Sequence, residues 1–370
     1  MKIEVPTIRD LGRVWGMISD RQTLIGPKVV MVDIINQCDL HCVMCFYHSS
    51  LLSKRPDYQT WAMGQMSCEQ FASLLQDLSQ LGTEFVTLCG AGEPFLHPDI
   101  KKMFALMAKY RFKSQIISNG IHINRDILDD LIEIRLERLT ISLHAADSKT
   151  YQIIHPLSEE DAFESLKVNL LYLKQRKAYL KSRYPKLSII NVISSLNCYN
   201  LIDMAEFAYS VGAQRIWFKP LSIAEETKEV LSLKEEDIIR IRADLKFLRR
   251  KIKLEHNIGE FMDGLTPQLD IQVDKSCRWA RNRFCYLPWI RANITTEGEV
   301  LSCIYQGRSF LGNIQRQPFS IIWNSKEYRE FRKNKRCPEH CLGAAVYPFV
   351  NIVGSINRIK NRISVIVPES

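Results

Sequence analysis

Long apolar runs and an export signal are both missing from this 370-residue sequence. No run approaches the roughly 20 apolar residues that a membrane-spanning helix needs. The first residues, MKIEVP, hold no apolar core of a signal peptide. We therefore expect a cytoplasmic protein without a transmembrane segment. Residues 1–28 are basic but short, so we do not expect a leader-peptide-binding domain within them.

Cysteine, by contrast, is plentiful, with eleven residues in the chain. Because nothing indicates export, this number favours metal ligands in a reducing compartment over disulfides. An apolar content of 46% and a charged content of 25% are ordinary for a globular protein, and the length allows one large domain and a smaller one. The net charge of +9 favours an anionic partner. It does not choose among a phosphorylated small molecule, nucleic acid and a membrane surface.

Three cysteines, Cys38, Cys42 and Cys45, lie within eight residues, directly after an apolar, β-branched run at residues 29–35. A short loop with several thiolates can hold an iron–sulfur cluster, and three ligands leave the fourth iron of a cubane open to another molecule. The alternatives are a zinc site with His41 or His48 as the fourth ligand, or thiols buried for structural reasons.

Strand-like and helix-like segments alternate after that loop. Each of six strands is followed by a helix or a turn toward one, which predicts parallel βαβ units. Six units are too few for a closed eight-stranded barrel. The predicted strands are residues 29–35, 84–88, 112–118, 138–143, 186–193 and 215–219, and the predicted helices are 67–81, 98–110, 124–134, 159–183, 201–211 and 234–254. Residues 51–66 are predicted to form a loop, and residues 257–274 a linker.

Polar residues follow several of these strands. The second strand ends in Cys89-Gly90-Ala91-Gly92-Glu93-Pro94, the third in Ser118-Asn119-Gly120, and the fourth contains Ser142. Asn191 and Lys219 lie near the ends of the fifth and sixth strands. By themselves these signals are weak, because tight turns, Asn-Gly turns and solvated lysines explain them equally well.

A second group of cysteines lies near the C-terminus. Cys285 and Cys303 flank a predicted hairpin turn at Glu297-Gly298, and Cys337 and Cys341 follow a predicted helix. Four thiolates satisfy either an iron–sulfur cluster or a structural zinc ion. Cys277 is a spare thiol or an alternative ligand.

The first motif resembles that of the radical S-adenosylmethionine (radical SAM) superfamily, whose Cys-x3-Cys-x2-Cys loop is reproduced by Cys38, Cys42 and Cys45. The resemblance implies an α/β fold, a partial (β/α)6 TIM-type barrel, and a 4Fe–4S cluster whose open iron binds S-adenosyl-L-methionine (SAM). It also implies cofactor contacts from Gly92, Glu93, Asn119 and Ser142. Near residue 155, many members carry an Arg that pairs with the methionine carboxylate; here either His155 replaces it as a cofactor contact or the contact is missing. Met44 and Ala91 depart from the usual aromatic and Gly residues.

The C-terminal part resembles the SPASM/twitch extension of that superfamily, including the landmarks Leu311-Gly312-Asn313-Ile314 and Ile322-Trp323-Asn324-Ser325. This resemblance implies a small Cys-rich α+β extension that holds one auxiliary 4Fe–4S cluster on Cys285, Cys303, Cys337 and Cys341. The predicted domain boundaries are an N-terminal segment 1–28, the core barrel 29–256, the auxiliary domain 275–342 and a tail 343–370. The tail combines apolar and basic residues, and we expect it either to pack on the barrel or to make weak contact with a membrane surface.

The resemblance implies an enzyme that cleaves SAM reductively to a 5′-deoxyadenosyl radical, which abstracts a substrate hydrogen. An auxiliary cluster predicts a net oxidation, and a small-molecule substrate is the first prediction, with a peptide- or protein-modifying maturase as the alternative. The reductant would be a ferredoxin or flavodoxin, and Lys219 is the candidate catalytic residue. A non-catalytic metal-binding module is the competing hypothesis of another class. The identity of the substrate is beyond the sequence.

Overall fold

The computed structural model describes residues 12–13, 23, 25–52, 56–221, 224–265, 287–301 and 310–334, and all structural statements refer to these residues. Among the predicted cluster ligands, Cys38, Cys42 and Cys45 are described. Cys277, Cys285, Cys303, Cys337, Cys341 and the tail lie outside the described residues. None of the described helices has the length and apolarity needed to cross a membrane.

One ten-stranded sheet organises this part of the chain, in the order β10-β9-β8-β1-β2-β3-β4-β5-β6-β7. Strands β1 to β7 pair in parallel in sequence order, as expected for consecutive βαβ units. The strands are β1 Val29–Val32, β2 Phe85–Leu88, β3 Lys113–Ser118, β4 Arg138–Ser142, β5 Lys186–Ile193, β6 Arg215–Pro220, β7 Glu255–His256, β8 Arg291–Ile294, β9 Glu299–Leu301 and β10 Phe310–Asn313. The partial barrel predicted from the alternation is confirmed.

Helices cover the outer face of the sheet. Within the described residues they are α1 Tyr58–Ala62, α2 Cys68–Gln80, α3 Ile100–Lys109, α4 Arg125–Glu133, α5 Ser148–Ile154, α6 Ala162–Tyr179, α7 Leu201–Ser210, α8 Lys228–Leu231, α9 Glu235–Lys251, α10 Ile258–Gly264, α11 Leu287–Ile290, α12 Phe319–Trp323 and α13 Lys326–Asn334. Short 3-10 turns cover Pro94–Leu96 and Glu225–Thr227.

The core lies between the strands and these helices. In β6, Ile216 and Phe218 are fully buried, whereas Arg215, Trp217 and Lys219 alternate with them and lie on the opposite, inner face of the barrel. The same alternation in β4 places Thr140 and Ser142 on the inner face, whereas Leu139 and Ile141 belong to the core. This face is therefore available for chemistry, and the apolar residues of the outer face hold the helices in place.

Helix α2 shows how local sequence sets an element's ends. Ser67 caps it by accepting a hydrogen bond from the Gln70 amide (3.2 Å), and Gln70 Oε1 accepts one from the Ser67 amide (3.1 Å). Gly82, with φ of 74°, takes the left-handed conformation just beyond the helix. The predicted start and stop of this helix are confirmed.

The C-terminal hairpin extends the barrel sheet. Strand β8 pairs in parallel with β1, so that Val29 lies beside Arg291 and Val32 beside Ile294. It then pairs antiparallel with β9 across the predicted turn, where Gly298 has φ of 78°. Helix α12 packs near α2, where the amide of Ser320 donates to Asp77 Oδ2 (2.7 Å). The sheet therefore runs without a break from the core into the C-terminal extension, which the sequence did not reveal.

Several segments differ from the sequence-based expectation. The predicted loop 51–66 contains α1, and the predicted linker 257–274 begins with α10. The short α5 was not predicted. In addition, the long helix predicted at 159–183 covers only Ala162–Tyr179. Short helices carry too little periodicity to be recognised, because tertiary packing decides whether they form.

Candidate functional site

The loop with the three cysteines follows β1 at the carboxyl edge of the sheet. A backbone hydrogen bond from the Cys45 amide to the Cys42 carbonyl (2.9 Å) forms its turn. The loop is anchored by the Val43 amide, which donates to the Ile154 carbonyl (3.0 Å), and by Ser49 Oγ, which donates to the Val43 carbonyl (2.8 Å). Barrel folds place their chemistry at this edge.

Burial shapes the chemistry of the three thiols. It raises the pKa of Cys38 to about 12, and it raises the pKa values of Cys42 and Cys45 as well. After burial, the charges of Cys45 and Cys38 are the next causes of the raised pKa of Cys42. Three closely spaced, partly buried thiols with raised pKa values need a cationic centre to become thiolates together. This donor set fits a metal cluster.

The structure argues against His48 as a zinc ligand. Its Nε2 donates to the Ala91 carbonyl (2.7 Å), and its Nδ1 lies 2.8 Å from the Tyr58 hydroxyl. Both ring nitrogens are therefore engaged by protein groups. The stacked rings of Tyr47 and Trp61 complete this aromatic cluster, which packs α1 onto the cysteine loop.

His155 lies against the cysteine loop. Its Nδ1 is 3.1 Å from Cys42 Sγ, and its Nε2 donates to the Leu143 carbonyl at 3.3 Å. The ring is 1% exposed and packs on Tyr151, with centroids 4.4 Å apart. Burial lowers the pKa of His155 to about 4, so the ring is neutral. Its predicted contact with the SAM carboxylate stays a prediction; the contact present is with Cys42, a predicted cluster ligand.

Gly92 and Glu93 pack against the backbone of residues 35–37, which directly precede the cysteine loop. A Cβ at Gly92 would lie 2.3 Å from the Gln37 carbonyl oxygen and 2.6 Å from the Ile35 carbonyl oxygen. The Glu93 amide donates to the same Gln37 carbonyl (2.9 Å). A glycine is needed here because two backbones approach within contact distance. The predicted contact of Gly92 and Glu93 with the cofactor stays a prediction.

The Glu93 carboxylate binds the turns that follow β2 and β3 to each other. It accepts hydrogen bonds from Ser118 Oγ (2.8 Å), the Asn119 amide (2.7 Å) and the Phe95 amide (3.1 Å). Burial raises its pKa to about 7, although these bonds act in the opposite direction. The ends of β2 and β3 are thereby fixed to each other.

Asp39 ties the cysteine loop to the end of β3, a role that the sequence analysis missed. Its Oδ1 accepts from Asn119 Nδ2 (2.8 Å), and His122 Nε2 lies 3.1 Å from its Oδ2. The side chain of Asn119 is engaged on both sides, since its Oδ1 accepts from the Ile121 amide (2.9 Å). In the sequence, the only signal for this role was the position of Asp39 between Cys38 and Cys42, two predicted cluster ligands.

Open polar groups lie at the ends of β4 and β5. Ser142 Oγ is half-buried and makes no side-chain hydrogen bond within the described residues. Asn191 is fully buried; its Oδ1 accepts from the His144 amide (3.0 Å), and its Nδ2 has no hydrogen-bond partner among the described residues. Because Asn191 pairs with Phe218 in the β5–β6 register, its side chain lies on the outer, helix-packed face of the sheet, whereas Ser142 lies on the inner face. Ser142 therefore stays a candidate for cofactor binding, and Asn191 does not lie on the same face.

Lys219 lies at the end of β6, beside Val192 of β5, on the inner face. Burial lowers its pKa, with a further contribution from the positive charge of Arg291 and an opposing one from Cys89. No hydrogen bond or ion pair of its ammonium group is found among the described residues. Its charge also contributes to the low pKa of His144, about 3, which burial mainly causes.

The predicted residues therefore fall into two sets. The structure brings Cys38, Cys42, Cys45, Gly92, Glu93, Asn119 and His155 together around one loop. Ser142 and Lys219 lie at the carboxyl ends of β4 and β6, and their side chains have no hydrogen-bond partner among the described residues. The three thiols of the loop are a donor set that fits a 4Fe–4S cluster.

Comparison with protein families agrees with this geometry. Residues 32–169 match the model of the radical SAM superfamily, and residues 285–343 match that of an iron–sulfur cluster-binding domain, SPASM. The chain belongs to the radical SAM superfamily and carries a C-terminal SPASM domain. Its cofactors are accordingly 4Fe–4S clusters and SAM.

Individual relatives are distant but similar over most of their length. The chain is 21% identical to the tungsten-containing aldehyde ferredoxin oxidoreductase cofactor-modifying protein of Pyrococcus furiosus, over 82% of this chain and 83% of that one. It is 24% identical to a PqqA peptide cyclase of Xanthomonas campestris, over 87% and 80%. The crystal structure of Streptococcus suis SuiB bound to S-adenosylmethionine superposes with a TM-score of 0.65, at 15% identity, over 93% of this chain and 78% of that one.

Proposed function

We propose that this radical SAM enzyme abstracts a hydrogen atom from an anionic substrate held at the barrel mouth against Lys219, and that the net reaction is an oxidation. The observation that carries the proposal is the position of Lys219 on the inner face of β6, with no counter-ion among the described residues. A buried ammonium group without a partner is unfavourable, and an acidic group of the substrate would remove that cost.

The surroundings of Lys219 support this role. Arg291 adds a second positive charge that lowers the Lys219 pKa, after the larger effect of burial. A lowered pKa increases the fraction of Lys219 that is unprotonated at neutral pH, and only this form can accept a proton. The protonated form would bind an acidic group of the substrate. In an oxidation of a C–H bond next to a hydroxyl or amine, Lys219 would accept the proton that leaves the substrate.

The protein's other residues hold and orient the cofactors. Cys38, Cys42 and Cys45 would ligate the first cluster, and Gly92, Glu93, Asn119, Ser142 and His155 would form the cradle around it and SAM. When bound, these cofactors supply one-electron chemistry that generates a radical able to break an unactivated C–H bond. An auxiliary cluster on Cys285, Cys303, Cys337 and Cys341 would accept the electron left on the substrate, which makes the reaction an oxidation.

Small-molecule oxidation is the first proposal, and peptide modification is the second. The curated relatives' names support both. One is a cofactor-modifying protein and another is a peptide cyclase. SuiB has also been solved bound to its precursor peptide SuiA. We further propose a ferredoxin or flavodoxin as the electron donor, in the cytoplasm.

An isotope-transfer experiment tests the function. The reconstituted protein is incubated anaerobically with SAM, a reductant and extract from cells grown in deuterated medium, with the extract divided by ultrafiltration into small molecules and peptides. Deuterium in 5′-deoxyadenosine from the small-molecule fraction alone supports the first proposal. Transfer from the peptide fraction alone would replace it with the second.

Two variants complete the design. Cys42→Ala protein should make no 5′-deoxyadenosine with any fraction; if it does, the first cluster has been assigned wrongly. Replacing Cys285 and Cys303 with Ala should remove the iron of about one cluster while unproductive SAM cleavage continues. Loss of all cleavage in that variant would contradict the separate roles of the two clusters.

A further inference from the structure

Five helices that lead into strands of the barrel end in the same way. Each closes with the Schellman hydrogen bond, in which an amide donates to the carbonyl five residues earlier. The bonds run from Thr83 to Leu78 (3.0 Å), Phe112 to Met107 (3.4 Å), Leu136 to Leu131 (3.0 Å), Ser182 to Lys177 (2.9 Å) and Ala213 to Ala208 (2.9 Å). The motif places the residue before each donor in the left-handed conformation.

Glycine is the residue that this conformation favours, since a Cβ is strained there. Two of the five helices follow the rule, with Gly82 at φ 74° and Gly212 at φ 75°. The other three carry a cation instead: Arg111 at φ 57°, Arg135 at φ 54° and Lys181 at φ 51°. The same backbone motif is therefore occupied by the favoured glycine at two helix ends and by a strained cationic residue at the other three.

All three cations lie on one face of the molecule. They stand in the connections that enter β3, β4 and β5, three adjacent parallel strands, and so they share the edge opposite the cysteine loop. Each of these strands also begins with a basic residue, namely Lys113, Arg138 and Lys186. The end of α6 and the following turn carry a run of cations with two tyrosines, KQRKAYLKSRYPK at 174–186.

We name Arg111, Arg135, Lys181 and Arg183 the basic rim. All four side chains are exposed, and none forms an ion pair within the described part of the chain. Cations are favourable near helix carboxyl termini, but that effect is screened at exposed positions. Gly82 and Gly212 show that the same kind of helix end forms without a cation at this position. The shared face therefore points to an outside partner of negative charge.

The residues among these cations indicate the kind of partner. Tyr179 is 79% exposed and Leu180 is 45% exposed, directly before Lys181. One cation approaches each tyrosine ring, with Arg176 over Tyr179 (5.8 Å) and Arg183 over Tyr184 (5.2 Å). Single-stranded nucleic acid is bound by a series of aromatic platforms, whereas the exposed side chains here are one aromatic and one aliphatic residue. Tyr and Leu exposed beside Lys and Arg are suited to the headgroup region of a bilayer.

We propose that the basic rim, with Tyr179 and Leu180, docks this protein on an anionic lipid membrane. Cations close to such a surface contribute additively to binding. The opposite edge of the barrel, with the cysteine loop, then faces away from the membrane and stays open to substrate and reductant. This inference does not depend on the chemistry proposed above.

The test is co-flotation of the full-length, cluster-loaded protein with vesicles. Phosphatidylcholine vesicles are compared with vesicles of phosphatidylcholine and phosphatidylglycerol in equal parts. Binding is expected only to the second kind and should weaken with added salt. The variant Arg111→Gly, Arg135→Gly, Lys181→Gly should bind roughly 100-fold more weakly, at about fivefold for each cation near the surface. Its melting temperature should not fall, because glycine suits all three positions.

A matched control removes three charges from the other end of the barrel. Lys101, Lys102 and Lys149, exposed in the first turns of α3 and α5, are replaced by Gln. This variant should bind like the unaltered protein. The single variant Arg183→Gln changes a residue outside the helix cap and should bind anionic vesicles about fivefold more weakly. It replaces the triple glycine variant in the test if that variant does not fold. Equal binding of the rim and control variants, or tighter binding to a DNA oligonucleotide than to anionic vesicles, would overturn the proposal.

Discussion

His155 Nδ1 lies 3.1 Å from Cys42 Sγ, while the opposite ring nitrogen donates to the Leu143 carbonyl. The histidine thus connects the predicted cluster ligand to the end of β4. Groups that contact a metal ligand from outside fix its orientation, and their loss commonly costs tenfold to 100-fold in metal affinity.

Replacing this histidine should therefore weaken the first cluster. We expect His155→Leu protein to lose iron to a chelator about tenfold faster or more, and His155→Gln to lie between it and the unaltered protein. Iron retained after a timed chelator challenge is the measurement. His256→Gln, on the short strand β7, is the control. Unchanged iron retention in His155→Leu would show that the contact does not support the cluster.

Glu93 predicts a pH dependence of stability in the cluster-free protein. Its pKa is about 7 in the folded chain, against an ordinary value of 4.5. Between these values the folded state binds more protons than the unfolded one, so the free energy of unfolding should fall as the pH rises from about 4.5 to about 7. The fall should reach roughly 3 kcal/mol at most. Glu93→Gln should flatten it in urea unfolding curves measured across that range; an unchanged slope in the variant would assign the dependence to another group.

Gly92 predicts a steric effect on the cysteine loop. Ala would place its Cβ 2.3 Å from the Gln37 carbonyl oxygen, and a backbone atom cannot move aside as a side chain can. We expect Gly92→Ala to cost about 2 kcal/mol or more and to reduce the iron bound at the first site. The control is Gly259→Ala, where the added Cβ meets nothing within 4 Å. Equal stability of the two variants would mean that the backbone around Gly92 can move to accommodate a Cβ, which would contradict the steric prediction.

Lys219 predicts a separation between cofactor cleavage and product formation. Lys219→Met keeps the length of the side chain but removes its charge, so substrate turnover should fall about 100-fold while unproductive SAM cleavage persists. Lys219→Arg should recover part of the turnover if charge alone matters. Lys186→Met, at the far end of the neighbouring strand, is the control. Product and 5′-deoxyadenosine are quantified together, and full turnover by the Met variant would remove Lys219 from the reaction.

Much of this protein was evident from the sequence alone. The Cys-x3-Cys-x2-Cys loop and the six alternating strands and helices predicted both the superfamily and the partial barrel. These signals are local: ligand spacing, the period of buried residues and a cap such as Ser67 depend on neighbours in sequence. The first cluster loop could therefore be identified without knowing the fold.

Other features depended on contacts between distant segments, which no local pattern encodes. The pairing of β8 with β1 joins residues about 260 positions apart, and Asp39 meets Asn119 across 80 residues. The contact of His155 with Cys42 joins residues 113 positions apart, and its predicted contact with SAM stays a prediction. Likewise, only the parallel packing of β3, β4 and β5 brings Arg111, Arg135 and Lys181 to one face. The sequence by itself determined the main strands and helices and the candidate ligands. Tertiary packing decided which residues surround them, because burial and charge in a folded protein depend on segments far apart along the chain.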